Sequence, residues 1–375
     1  MKSNYPKTIT FSGELLLEMK KSVAPEALEE LRAVAEEKLN SPSINVTARL
    51  MRAPTGNIHD YASIGSYWWP NPDTPDGLPY VRRDGELTPL AKDEMTHRLM
   101  ARKVLELTLA AFYLEDEKYA RGAVKALYDW HLNPETYMTP HAEYAQSIPG
   151  ICSGRGIGII DFAYSYQIFD SVAILEWLGL IDDETVKGLK KWYTEFTDWM
   201  LTSENGITED TELNNHGTFY DVQILAMAIF TGREALVKKI CTTAYERRFN
   251  LQIETDGKMP LELARTMAMH YSFCNIRGLT MIANMAESQG YDEFIKPDKV
   301  RGVCLLKSAI DYIYPFVLSP ETFPYAEMFN DEVYPTISYF ALMALTWADA
   351  HFPADGYGDK IKAVGEKSYL LRPGK

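Results

Sequence analysis

Cysteine is scarce in this chain of 375 residues: Cys152, Cys241, Cys274 and Cys304 are the whole set, and no two stand at the spacing of a CxxC pair. That excludes a dithiol redox motif or a zinc cluster, and because three of the four lie in apolar helix-like runs, buried free thiols are expected. No run of about 18 apolar residues is present, so no membrane-spanning helix is expected. The opening Met1-Lys2-Ser3-Asn4-Tyr5-Pro6 lacks the apolar core of a secretion signal, and a soluble chain of unassigned compartment is expected. Basic residues are outnumbered by acidic ones, 38 to 52, for a net charge of −14. An acidic excess argues against a nucleic-acid partner or an anionic membrane surface, both of which require a basic face. The seven histidines show no HxxxH or HxH spacing, there is no GxSxG elbow, and Gly154-Arg155-Gly156-Ile157-Gly158 has neither the P-loop lysine nor dinucleotide spacing. No metal and no cofactor are expected.

What is present is helix. A hydrophobic content of 46% is enough to bury a sizeable core. Apolar residues recur at three- and four-residue spacing over 24–39, 91–112, 119–130, 159–178, 183–200, 218–230, 234–249, 261–289 and 333–350, with short polar or glycine-containing breaks between neighbours. No comparable set of alternating strands is found. Helices joined this tightly predict antiparallel hairpins that close into an α/α toroid, all-α in class and read as a single domain over 1–375. The stretch 54–89, dense in Pro, Gly, Asp and aromatic residues, predicts a long ordered loop.

Two clusters can carry chemistry. Glu212-Leu213-Asn214-Asn215-His216-Gly217 gathers polar side chains at the start of an apolar helix, where an asparagine can also serve simply as the helix cap. The run Glu262 to Tyr271 contains Arg265 and Tyr271, separated by roughly 600° of helical rotation. Bringing these two together requires local unwinding or long-side-chain reach. The plainer alternative pairs Arg265 with Glu262 and packs Tyr271 in the core.

Taken together, the segments Asn57-Ile58-His59-Asp60-Tyr61 through Tyr67-Trp68-Trp69-Pro70-Asn71-Pro72, Asp76-Gly77-Leu78-Pro79-Tyr80-Val81-Arg82-Arg83-Asp84-Gly85, Gly154-Arg155-Gly156-Ile157-Gly158-Ile159-Ile160-Asp161 and the Asn-Asn-His helix start resemble the alginate lyase superfamily. The nearest resemblance is to polysaccharide lyase family thirty-eight, which contains alginate and glucuronan lyases, and it runs from about 45 to 350. The resemblance implies an α/α toroid that cleaves an acidic polysaccharide or oligosaccharide by β-elimination. It also implies that Asn215, His216, Arg265 and Tyr271 occupy the catalytic positions.

These residue types suit elimination. The proton at C5 of a uronate is too weakly acidic to remove while the neighbouring carboxylate stays charged, and amide, imidazolium and guanidinium donors neutralise that charge. Tyr271 can act as base and then as acid towards O4 where the C5 proton and O4 share a face, as in mannuronate and glucuronate; in guluronate His216 can be the base. For substrate binding, Arg155, Arg82 and Arg83 are candidate carboxylate forks, Tyr67, Trp68 and Trp69 candidate stacking surfaces or loop anchors, and Gln146, Tyr220 and Tyr325 further candidates. Two alternatives stay open: a glycoside hydrolase recruiting two of Asp161, Asp221 and Glu262, and a non-catalytic binder of acidic glycans.

Overall fold

The computed structural model describes residues 3–49, 51–328 and 333–364. The chain divides into two compact units, residues 1–210 with 226–233, and residues 211–225 with 234–375. In the first, the helices are α1 (Gly13–Ser22), α2 (Pro25–Asn40), α3 (Thr96–Leu114), α4 (Glu117–His131), α5 (Ser165–Leu178), α6 (Asp183–Thr202) and α7 (Glu204–Asp210). The hairpins form for local reasons. Glu115 (φ 55°) closes α3 in the left-handed region, and Asp116 then caps α4 by accepting the Lys118 N–H at 3.0 Å. Gly179 (φ 76°) ends α5 in the same way, and Asp182 accepts the Thr185 N–H at 2.7 Å to open α6. Tyr119, Ala123, Leu127 and Trp130 line the buried face of α4, which packs on α3. Trp130 is fully buried, so truncating it to alanine would cost about 3–5 kcal/mol.

The expected loop over 54–89 is ordered by two short pairings. Strand β1 (Ala62–Ile64) pairs in parallel with β4 (Tyr144–Ser147), and β2 (Trp68–Trp69) pairs antiparallel with β3 (Val81–Arg82). A register shift in the first pairing accompanies Gln146 at φ 48°, an uncommon conformation for a non-glycine residue.

The second unit begins with α8 (Asn215–Thr231), whose residues from 226 onward belong to the first unit. It continues with α9 (Glu234–Ala244), a π-helical turn over Tyr245–Asn250, α10 (Pro260–Leu263), α11 (Ala268–Ser288), α12 (Leu305–Ile313), α13 (Pro315–Leu318), α14 (Val333–His351) and α15 (Tyr357–Val364). Helix α11 packs against α10, α12 and α14. One expectation is corrected here: the helix read over 261–289 is interrupted. Met267 leaves helical geometry (φ −122°, ψ 60°) and bridges to Glu327, while the Ala268 N–H donates to the Ala326 carbonyl at 3.0 Å. Ala264-Arg265-Thr266-Met267 contains no Gly or Pro, so the break is imposed by this distant pairing rather than by local propensity. Among the described residues, no helix is long and apolar enough to cross a membrane. The four cysteines form no disulfide, with Cys241 and Cys304 buried and Cys152 and Cys274 half-buried.

Candidate active site

At the start of α8 the two asparagines divide their work. Asn214 is the cap: its side-chain oxygen accepts the His216 N–H at 2.9 Å and its carbonyl accepts the Thr218 N–H at 3.2 Å. Asn215 is thereby released from capping, and it is committed to Glu262 instead. Its backbone N–H donates to Glu262 Oε1 at 2.6 Å, and its side-chain Nδ2 reaches Oε1 at 3.1 Å and Oε2 at 3.0 Å. Both residues are 1% exposed. Burial pushes the Glu262 carboxyl up to about 7, against the pull of the Asn215 hydrogen bonds and the positive charges of His216 and Arg265. The turn before α8 is held from behind by Arg248, on the π-helical segment. Its Nη1 donates to the Glu212 carbonyl at 3.0 Å, and its Nε and Nη2 grip buried Asp221 at 2.8 and 3.2 Å. A Cβ at Gly217 would run into that carbonyl and that guanidinium, so glycine is required for the close approach.

The interruption between α10 and α11 supplies local unwinding, one of the two ways in which Arg265 and Tyr271 could be brought together. Arg265 lies in the break and Tyr271 in the first turn of α11, and the guanidinium carbon stands 3.9 Å from the centre of the Tyr271 ring. His270 meets the same ring edge-on at 5.3 Å. Helix α11 has no side-chain cap of its own at Met267. Glu327 supplies one from 58 positions away, its Oε2 accepting the Met269 N–H at 2.6 Å, and the His270 N–H also faces this carboxylate. Burial raises the Glu327 pKa while those N–H groups oppose the rise. Glu262 and Glu327 thus each satisfy the first N–H groups of a helix that carries site residues. Sequence reading missed both roles, since neither glutamate is near its helix in the chain.

The first unit holds a second polar cluster, around Arg155. Buried Asp161 accepts from Tyr61 and Ser63 hydroxyls and from Gln146 Nε2, each at 2.8 Å. Burial pushes its carboxyl up to about 6 despite those donors. Gln146 in turn accepts from Arg155, through its carbonyl at 3.0 Å and its side-chain oxygen at 3.1 Å. Both polar ends of Gln146 are therefore engaged inside the protein, and it orients Arg155. Desolvation lowers the Arg155 pKa, and its guanidinium lies 6.0 Å from the Trp68 ring. Arg82 and Arg83 are exposed and paired locally, with Asp84 at 2.7 Å and Glu86 at 3.7 Å. Trp69 anchors the loop: its Nε1 donates to the Glu86 carbonyl at 2.9 Å and Arg83 lies 5.0 Å over its ring. The Tyr67 carbonyl accepts the Arg83 N–H at 2.8 Å.

Tyr220 is buried on α8. Tyr325, in the second unit, has its ring 5.5 Å from Phe323 and hydrogen bonds Tyr312. Among the described residues, no group of three or more His, Cys, Asp or Glu is placed to hold a metal ion.

Comparison with known proteins is specific. The alginate lyase family model matches residues 45–323. The crystal structure of an alginate lyase from Bacteroides ovatus is similar with a TM-score of 0.91 and 33% identity, covering 98% of each chain. Alginate lyase A1-III, as a histidine-to-alanine variant complexed with a tetrasaccharide, is similar in fold at TM-score 0.59 and 15% identity over 95% of this chain and 92% of that one. A tyrosine-to-phenylalanine variant of A1-III, also complexed with a tetrasaccharide, gives 0.52 and 14% over 85% and 80%. No curated protein matches the chain in sequence. The fold class is the expected all-α one, the α/α toroid of these enzymes. With the family model matched over well more than half of its length, the chain belongs to the alginate lyase family and is a polysaccharide lyase.

Proposed function

We propose that Asn215, His216, Arg265 and Tyr271 carry out β-elimination on a polyuronate, with mannuronate-type linkages of alginate or the glucuronate linkages of glucuronan as the preferred substrate. The observation that carries this reading is the Arg265 guanidinium 3.9 Å from the Tyr271 ring, in a helix break beside the Glu262–Asn215 pair. A cation against the phenol favours the phenolate, which is the form a base must take. The Arg265, His216 and Asn215 donors neutralise the uronate carboxylate so that negative charge can spread onto it as the C5 proton leaves. Tyr271 takes that proton and returns it to O4 as the bond to the leaving sugar breaks. This one-residue cycle fits sugars whose C5 hydrogen and O4 share a face. In guluronate they do not, and His216 then becomes the base with Tyr271 as the acid.

Arg155, oriented by Gln146 and Asp161, is assigned to a uronate carboxylate of the substrate, with Trp68 as the adjoining ring surface. The hydrolase alternative is disfavoured by the state of its carboxylates. Asp221 is gripped by Arg248, Glu262 is bound by Asn215, and Asp161 accepts three hydrogen bonds. Incubation with polymannuronate, polyguluronate and glucuronan separately, with products read by mass, tests the assignment. Ends lighter by one water are expected from polymannuronate or glucuronan, and a preference for polyguluronate would overturn the Tyr271-only cycle.

A further inference from the structure

Glu262 does more than hold a helix start, because of where its partner points. Asn215 Nδ2 has two hydrogens, and the Glu262 carboxylate draws on that nitrogen with both oxygens while also taking the Asn215 backbone N–H. In the function proposed above, the same amide must donate to the substrate carboxylate. Two carboxylates would then flank one amide in a place from which water is nearly absent, Glu262 being 1% exposed. Among the described residues, His216 and Arg265 act on the charge of Glu262. Helix α8 brings His216, the break after α10 brings Arg265, and α11 brings Tyr271 under Arg265 with His270 against its ring. Glu327, paired beside Met267, is already bound to the first turn of α11.

We infer that Glu262 takes up a proton from solvent when a uronate carboxylate binds, so that substrate binding and protonation of this buried acid are one linked event. The inference rests on the assignment of the substrate carboxylate to Asn215, His216 and Arg265. Its physical basis is that a second negative charge in a dry pocket raises the cost of the first, and the cheaper outcome is to neutralise the group that can accept a proton. Protonated Glu262 keeps one oxygen for the Asn215 backbone N–H and no longer sets a second negative charge beside the bound carboxylate. With the free carboxyl at about 7, the acid stands where a neighbouring charge changes its state near neutrality. Affinity is therefore constant below that pH and falls towards about tenfold per pH unit above it, the slope of one linked proton.

The test uses the full-length Tyr271→Phe enzyme, which should bind without turnover, titrated with an oligomannuronate by calorimetry in buffers of different ionisation enthalpy. Net proton uptake near pH 7.5, in the range of a half to one proton, is expected, and Glu262→Gln in the same background should remove most of it and flatten the affinity against pH. Uptake of zero, or uptake unchanged by Glu262→Gln, overturns the inference, the second result assigning the proton to His216 or another group. An infrared difference spectrum on the Tyr271→Phe enzyme with Glu262 intact covers the case in which the Gln variant fails to fold. A protonated-carboxyl stretch appearing with ligand supports Glu262, and its absence overturns the inference. Failure of the underlying assignment looks different: the wild-type enzyme forms no unsaturated product from polymannuronate or glucuronan, or oligomers of neither bind, and the inference then falls with it.

Discussion

Asp161 and Glu262, one in each unit, are both carboxylates removed from water, and burial pushes them up to about 6 and about 7. Their surroundings differ in kind. Asp161 receives two hydroxyls and an amide, all permanent parts of the first unit's framework, and also stands in the field of Arg49. Its service is to fix Gln146, and through it Arg155. Glu262 shares an amide with a side chain assigned to the substrate and stands in the field of His216 and Arg265. The comparison teaches that a raised pKa by itself does not mark chemistry; what the hydrogen-bond donors do next decides between an anchor and a participant.

Substitutions should separate the two sites, and the largest effect belongs on the Glu262 side. Tyr271→Phe is expected to lower kcat by at least about 10²–10⁴-fold, the contribution of a positioned acid–base group, with the affinity of an oligomannuronate retained. Steady-state rates and equilibrium binding on one preparation would check this. Next, Asn215→Ala should cost roughly 10²–10³-fold in kcat/KM by removing a donor to the developing charge. Asp161→Asn should act on the other ledger. Mispairing of the Tyr61, Ser63 and Gln146 donors is expected to lower stability by about 1–3 kcal/mol in urea unfolding, and loosened Arg155 should raise KM more than it lowers kcat.

A smaller effect is expected at Glu327. Its replacement by alanine removes the cap of α11, about 1 kcal/mol of stability, and lets Tyr271 drift, for a several-fold drop in kcat that Glu327→Gln should partly restore. A pH effect on stability completes the set. Because the folded-state pKa values of Asp161 and Glu262 lie above those of free carboxyls, the folded form binds more protons than the unfolded one. Their contribution is full below the free-carboxyl range and is lost as pH rises through about 6 and about 7. Thermal melts from pH 4 to 8 should show that decline, shallower in Asp161→Asn.

The hairpin grammar was legible because it is local. The apolar stripe of α4, the caps at Asp116 and Asp182 and the turn at Gly179 are written within a few residues of where they act. The Asn-Asn-His start was legible as a polar cluster, and the separation of Arg265 and Tyr271 signalled that local unwinding or long-side-chain reach was needed to bring them together. What broke it was not legible, since the pairing of Met267 with Glu327 joins segments 60 positions apart. The same holds for Glu262, 47 positions from the asparagine it binds. Gln146, a further binding candidate by sequence, is buried, with its polar groups bound to Asp161 and Arg155.

The most direct test of the account is the ultraviolet absorbance of the unsaturated uronate formed from polymannuronate or glucuronan, followed with the wild-type enzyme and with Tyr271→Phe. The account predicts a steady rise with the wild type and none with the variant, although the variant still binds the polymer. A rise of similar rate in the variant would remove Tyr271 from the chemistry and contradict the proposal.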